Sequence, residues 1–270
     1  MKLALASLLP ILLAADLPLP AQNGGPRSQP VSTSAVPVVV ELFTSEGCSS
    51  CPPADALLAK METAQPFQGV EIIAIEEHVD YWDQQGWVDP FSSVDWTLRQ
   101  QVYTTVLHEQ GPYTPQMVVN GRTQLVGSRG DQAVRAVKEA QSAPVTPVKL
   151  AVLTAGNPSE PHFTISVGKI AGQLSPGDSA EVWLAITESG LSSAVARGEN
   201  AGRNLSHASV LRSMRHIGNA DGRTEGVSFE GDASTKLKSG WKRENLTAVV
   251  LVQEKKSRRI LGAARMKVPG

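Results

Sequence analysis

Cys48 and Cys51 are the only thiols in the 270-residue chain, and two serines separate them. A C-x-x-C pair can close to a disulfide and be reduced again, so it carries two electrons with no diffusible cofactor. The pair sits at a seam between two kinds of pattern. Upstream, Val38-Val39-Val40-Glu41-Leu42-Phe43 is a β-branched and aromatic run bounded by Pro37 and Gly47, which reads as a buried strand. Downstream, Ala54, Leu57, Leu58 and Met61 recur at helical spacing. A C-x-x-C at a strand-to-helix turn near a βαβ pattern is a thioredoxin-like redox signature. Cys48, on the loop side, is expected to be the exposed nucleophile, with Cys51 resolving the mixed disulfide. A helix N-terminus favours the thiolate, whereas Glu46, if close, would disfavour it. The other possibilities are a metal site and an inert local disulfide.

The elements around the pair set which other residues reach it. A helix near 53–65 leads to a second strand at 69–75, and two strands joined in this way lie parallel by a right-handed crossover. Their C-terminal ends then share one edge of the sheet, where ligand sites of open α/β sheets lie. His78 and Asp80, at the end of the second strand, should therefore be neighbours of the cysteine turn, able to tune a thiol or move a proton. Cys48, Cys51 and His78 would also suit a soft ion such as Cu(I). Tyr81, Trp82, Trp87 and Trp96 belong to a polar and aromatic insertion, with a helix near 96–108, that caps this edge. Asn120-Gly121 between two short apolar runs marks a hairpin. Thr114-Pro115 opens its first strand, either as a cis bond facing the cysteines or as a trans proline at an edge. A helix over 131–141 closes the segment.

Ala143-Pro144-Val145-Thr146-Pro147 marks a boundary, after which alternation replaces helical stripes. Strands are expected at 148–153, 163–167, 182–187, 248–253 and 260–268, as an all-β, sandwich-like module. A long polar loop lies among them with Glu199, Asn200, Arg203, Asn204 and His207, read as a self-satisfied loop that could dock the two domains. The expected organisation is a signal peptide over 1–21, a flexible tether over 22–35, a thioredoxin-like domain over 36–143 and the β-module over 147–270. Lys2 followed by the apolar Leu3–Ala15 and small residues near Ala21 carries the signal-peptide reading, and with it a periplasmic or secreted location. The segment is too short and broken for a spanning helix, so no membrane insertion is expected after cleavage.

A net charge of −1, with 19% charged residues, argues against electrostatically driven nucleic-acid or membrane-surface binding. Export places the cysteines where a disulfide persists, either Cys48–Cys51 or between chains. No phosphate cradle, H-E-x-x-H or G-x-S-x-G pattern occurs.

Three stretches together resemble the secreted bacterial family DUF1223: Glu41–Asp55 with its Cys48-Ser49-Ser50-Cys51-Pro52-Pro53, Glu77–Asp83 and Tyr113–Gly121. Gly198-Glu199-Asn200-Ala201-Gly202-Arg203 extends the likeness over nearly the whole mature chain. The resemblance implies a thioredoxin-like fold in which Thr114-Pro115 is a cis-proline loop that orients substrate backbone. The family's function is unknown. The leading expectation is thus a thiol–disulfide oxidoreductase using Cys48 and Cys51, assisted by His78 or Asp80, with protein thiols and disulfides of the cell envelope as partners and no cofactor. The alternatives are copper binding through Cys48, Cys51 and His78, or a structural protein that binds a partner.

Overall fold

The apolar run at the start becomes β1, Val36–Thr44, buried from Val38 onward. Burial on both faces is why the run is continuous and not alternating. In this computed structural model residues 35–153 and 157–269 are described. The expected signal peptide and all but the last residue of the expected tether lie outside them.

Helix α1, Pro52–Ala64, begins directly after Cys51 with prolines at its first two positions, where no backbone donor is needed. It leads into β2, Val70–His78, parallel to β1 with His78 opposite Thr44. Helix α2, Val94–Val106, is capped by the Ser93 hydroxyl, which accepts the Asp95 N–H. A hairpin follows: β3, Gln116–Val119, antiparallel to β1, and β4, Thr123–Val126. Its Asn120 and Gly121 have φ of 47° and 63°, the left-handed conformation that such turns require. A Cβ on Gly121 would lie 1.9 Å from the Arg258 carbonyl oxygen, so the close approach there also demands glycine. Helix α3 spans Gly130–Gln141.

The remaining elements are strands: β5 (Val148–Leu153), β6 (His162–Val167), β7 (Ala180–Glu188), β8 (Leu191–Ala194), β9 (Asn204–His207), β10 (Val210–Ala220), β11 (Phe229–Ser234), β12 (Leu246–Glu254) and β13 (Ile260–Lys267). Eight strands form one sheet in the order β13-β12-β7-β10-β2-β1-β3-β4, beside a three-stranded sheet β11-β6-β5 and the ribbon β8-β9. The fold is mixed α/β with a large central sheet and few helices. Strand β10 makes the junction: Val210 pairs in parallel with Glu76, whose N–H donates to Ser209 O at 2.9 Å. The proline break at 143–147 falls between α3 and β5 as expected, but the segments on its two sides share this sheet.

One face of the sheet packs Val38, Val40, Leu42, Ile72 and Ala74 against α1 and α3. Further along, Val182, Leu184, Val250 and Val252 pack against Phe163, Ile165 and Val167 of the small sheet. The other face gathers Val39, Ile73, Ile75, Val249, Leu251 and Ile260 with Trp96 of α2. The Ile260 N–H donates to Asn120 O, which brings the start of β13 to the β3–β4 turn and curls the sheet around this core. Among the described residues no helix is long and apolar enough to cross a membrane.

Candidate functional site

The parallel pairing of β1 and β2 brings the cysteine turn and His78 to one sheet edge, with the Val79 N–H donating to Thr44 O. Cys48 and Cys51 are joined to each other, with Cα atoms 5.4 Å apart, and the Cys51 N–H closes the turn on Cys48 O. Both are fully buried. The expectation of an exposed Cys48 is therefore corrected, and the cause is the polar loop between β8 and β9. Asn200 Nδ2 donates to Glu46 O at 2.9 Å and to Cys48 O at 3.0 Å, while the Ser49 N–H donates to Glu199 Oε2 at 3.0 Å. The loop thus holds the backbone of the cysteine turn and is not satisfied by itself alone.

Glu46 turns away from the thiols. Its Oε2 accepts from Trp87 Nε1 at 2.7 Å and its Oε1 lies 3.1 Å from His207 Nε2. From there a buried chain of groups runs through the protein. His207 Nδ1 lies 2.8 Å from Glu76 Oε1, His78 Nε2 lies 3.5 Å from that same oxygen, and His78 Nδ1 is 2.7 Å from Asp89 Oδ2. Asp89 Oδ2 also accepts the Glu46 N–H at 2.8 Å, which ties the chain back to the cysteine turn. Phe91 sets its edge against both imidazoles, with centroids at 5.4 and 5.6 Å.

Burial works against charge throughout, and the neighbours decide the outcome. Burial opposes a charged His78, but the Asp89 carboxylate beside it raises the ring well above the ordinary histidine range. Burial likewise opposes a charged His207, and the bonds to Glu46 and Glu76 lift it to about 9. Burial would raise Glu76, yet the hydrogen bond from His207 and the His78 ring hold it at about 2. Asp55 goes the other way, pushed up to about 7 by burial and then by the charge of Glu76. It stands one helical turn after Cys51, on the same face of α1, and accepts the Thr44 hydroxyl at 2.6 Å.

Of the residues singled out in the sequence, Cys48, Cys51 and His78 meet at this edge. Asp80 does not join them: its carboxylate accepts the Thr97 hydroxyl at 2.6 Å and its N–H donates back to that oxygen at 3.1 Å, which anchors α2. Thr114-Pro115 is cis. Thr114 Oγ1 accepts from Trp82 Nε1 at 2.8 Å, and a Cβ on Gly47 would meet Trp82 Cβ at 3.0 Å, so Trp82 touches both this loop and the cysteine turn. Among the described residues, the side chains that converge as metal ligands are Glu76, His78 and His207, without either cysteine. Glu76 and Asp55 left a trace in the sequence, each a carboxylate within an apolar pattern. His207 stood out only as part of a polar loop, because its partner Glu76 lies 131 residues away in sequence, and Asp89 left no trace in the polar insertion that carries it.

Residues 39–253 match the model of DUF1223, a family of proteins of unknown function, and the chain belongs to that family. No curated protein matches it. Two solved structures are similar. The crystal structure of the Agrobacterium tumefaciens protein AGR_C_4864 shares 27% identity over 87% of this chain and 96% of its own, with a TM-score of 0.61. HBP35 of Porphyromonas gingivalis shares 14% identity over 87% of this chain and 76% of its own, with a TM-score of 0.63, a likeness of fold alone.

Proposed function

We propose that the protein is an exported thiol–disulfide oxidoreductase of the cell envelope, with a thioredoxin-like unit over 36–143 that carries Cys48 and Cys51. The observation that carries this reading is the closed Cys48–Cys51 bond at the β1–α1 seam, with Asp55 one turn behind Cys51. In the reducing direction, the Cys48 thiolate attacks one sulfur of a target disulfide and displaces the other as a thiolate. Cys51 then attacks Cys48 Sγ, which breaks the mixed disulfide, releases the second target thiolate and restores Cys48–Cys51. Two electrons pass to the target, and the Cys51 proton goes to the Asp55 carboxylate, whose pKa of about 7 suits a proton acceptor near neutrality. Oxidation of a target dithiol is the same sequence reversed. The Thr114-Pro115 loop orients the target backbone, and His78 acts on the turn through Asp89. No cofactor takes part.

The zero exposure of both sulfurs favours a second reading, a disulfide that only staples the turn. In the exchange reading the loop carrying Glu199 and Asn200 swings aside to admit the target. A Cys51→Ser variant treated with oxidised glutathione separates the two. A single mixed disulfide on Cys48 of the folded protein, detected by mass spectrometry, supports exchange. Modification only after unfolding supports the staple.

A further inference from the structure

Every ring nitrogen of His78 and His207 faces a carboxylate oxygen. On the outer side, His78 Nδ1 is held by Asp89 and His207 Nε2 by Glu46. On the inner side, His78 Nε2 and His207 Nδ1 both point at Glu76 Oε1, at 3.5 and 2.8 Å. Glu76 cannot turn this oxygen away, because its Oε2 is fixed by the Ala208 N–H at 2.9 Å. His78 Nε2 has no hydrogen-bond partner although the residue is wholly buried.

A neutral imidazole has one donor and one acceptor nitrogen. When a cation displaces the inner protons and the remaining donors of both rings face outward to Asp89 and Glu46, two nitrogen lone pairs and one carboxylate oxygen converge on a single buried point. A cation requires just such an arrangement. Carboxylates that grip the far nitrogen of each ring are the usual support of metal-binding histidines, since they fix the tautomer and the ring orientation.

We propose that Glu76 Oε1, His78 Nε2 and His207 Nδ1 bind one divalent metal ion of the zinc class. The ligand atoms of these residues lie within 4.8 Å of one another. A tetrahedral ion with bonds of about 2.0 Å spaces its ligands about 3.3 Å apart, and the observed 2.8 and 3.5 Å lie on either side of that value. Two imidazole nitrogens and one carboxylate oxygen, with no thiolate, suit zinc better than soft Cu(I) or the hard alkaline-earth ions. The ion also answers the negative charge of Glu46, Glu76 and Asp89, which converge on two rings in a medium of low dielectric. The site excludes both cysteines and its test reads bound zinc alone, so it stands or falls independently of the exchange reading.

The test uses the oxidised protein, whose cysteines cannot ligate. The chain is unfolded with chelator, refolded with one equivalent of zinc and dialysed, because a buried site fills as the protein folds. One zinc per chain is expected. X-ray absorption of the zinc protein is expected to show nitrogen and oxygen at about 2.0 Å with outer-shell scattering from two imidazoles. His207→Gln and Glu76→Gln, checked for folding by circular dichroism, should each lower zinc affinity at least about tenfold, the scale of losing a ligand's support. The proposal is overturned if the refolded wild-type protein retains no zinc, if the absorption spectrum lacks two imidazoles, or if both folded variants bind zinc as the wild type does.

Discussion

Glu76 and Glu77 are consecutive in β2, and because side chains alternate across a strand they serve two different buried charge clusters on opposite faces of the sheet. Glu77 faces the core under α2 together with Glu41. There Arg99 Nε donates to Glu41 Oε1 at 2.8 Å, the Tyr103 hydroxyl donates to Glu41 Oε2 at 2.5 Å, and Gln253 Nε2 donates to the Tyr103 oxygen at 2.8 Å. Arg99 Nε stands 3.3 Å from Glu77 Oε1, yet neither Glu77 oxygen has a hydrogen bond. Burial pushes Glu77 well above the carboxylate range in spite of Arg99, towards its neutral form. One permanent cation, Arg99, therefore stands between the two carboxyl groups of that cluster. Glu76 instead faces α1, among Glu46, Asp89 and two histidines, and among the described residues the positive charge paired with these carboxylates is one that a proton or a metal ion brings. A guanidinium fixes charge for good, which suits a structural role; imidazoles let it be exchanged, and these lie beside the cysteine turn.

The largest effect should come from breaking the closed cluster. Arg99→Met strands the Glu41 carboxylate in the core, and urea unfolding should show a loss of about 3–5 kcal/mol. A loss below about 1 kcal/mol would mean that the guanidinium does not compensate Glu41, and the contrast between the clusters would fail.

Asp55 tests the exchangeable side. Its folded pKa of about 7 lies above the ordinary 3.8, so the native state binds more protons than the unfolded chain between those values. Stability from this group is therefore full below about pH 4 and declines as pH rises through about 7. The shift corresponds to at most about 4 kcal/mol. Asp55→Asn should flatten the decline and raise stability at pH 8, measured by denaturant unfolding across that range in metal-free protein. An unchanged pH profile would show that Asp55 is not held protonated by burial.

Smaller effects sharpen the link between the histidine cluster and the cysteine turn. Trp87→Phe removes the bond to Glu46 Oε2 and should cost about 1–3 kcal/mol, as for a buried hydrogen bond to a charged group. Glu199→Ala, at the exposed end of the loop, should leave the unfolding transition nearly unchanged while it speeds reduction of Cys48–Cys51 by dithiothreitol. If the reduction rate stays the same, this loop is not what shields the sulfurs.

These contrasts also explain how far the sequence could be read. Continuous apolar runs revealed β1 and β2, Asn120-Gly121 revealed the hairpin, and together they brought Cys48 and His78 to one edge. Strand β10 was hidden, since its register shifts at Leu211/Ser213 and His216/Gly218 erase the two-residue period that marks a strand. Without β10 nothing in the sequence joins the two halves in one sheet, and nothing carries His207 to Glu76. Asp80 misled because it shares the end of β2 with His78, but the chain turns there and its side chain goes to Thr97. The burial of the cysteines was equally illegible, because Asn200 lies 152 residues from the carbonyl of Cys48 that it holds.

The most direct measurement is the reduction potential of the Cys48–Cys51 pair, by equilibrium titration against glutathione or dithiothreitol. The exchange reading expects a value above about −230 mV, that of a couple which donates or accepts electrons in an oxidising compartment. A value below about −300 mV would contradict it and leave the disulfide as a staple of the turn.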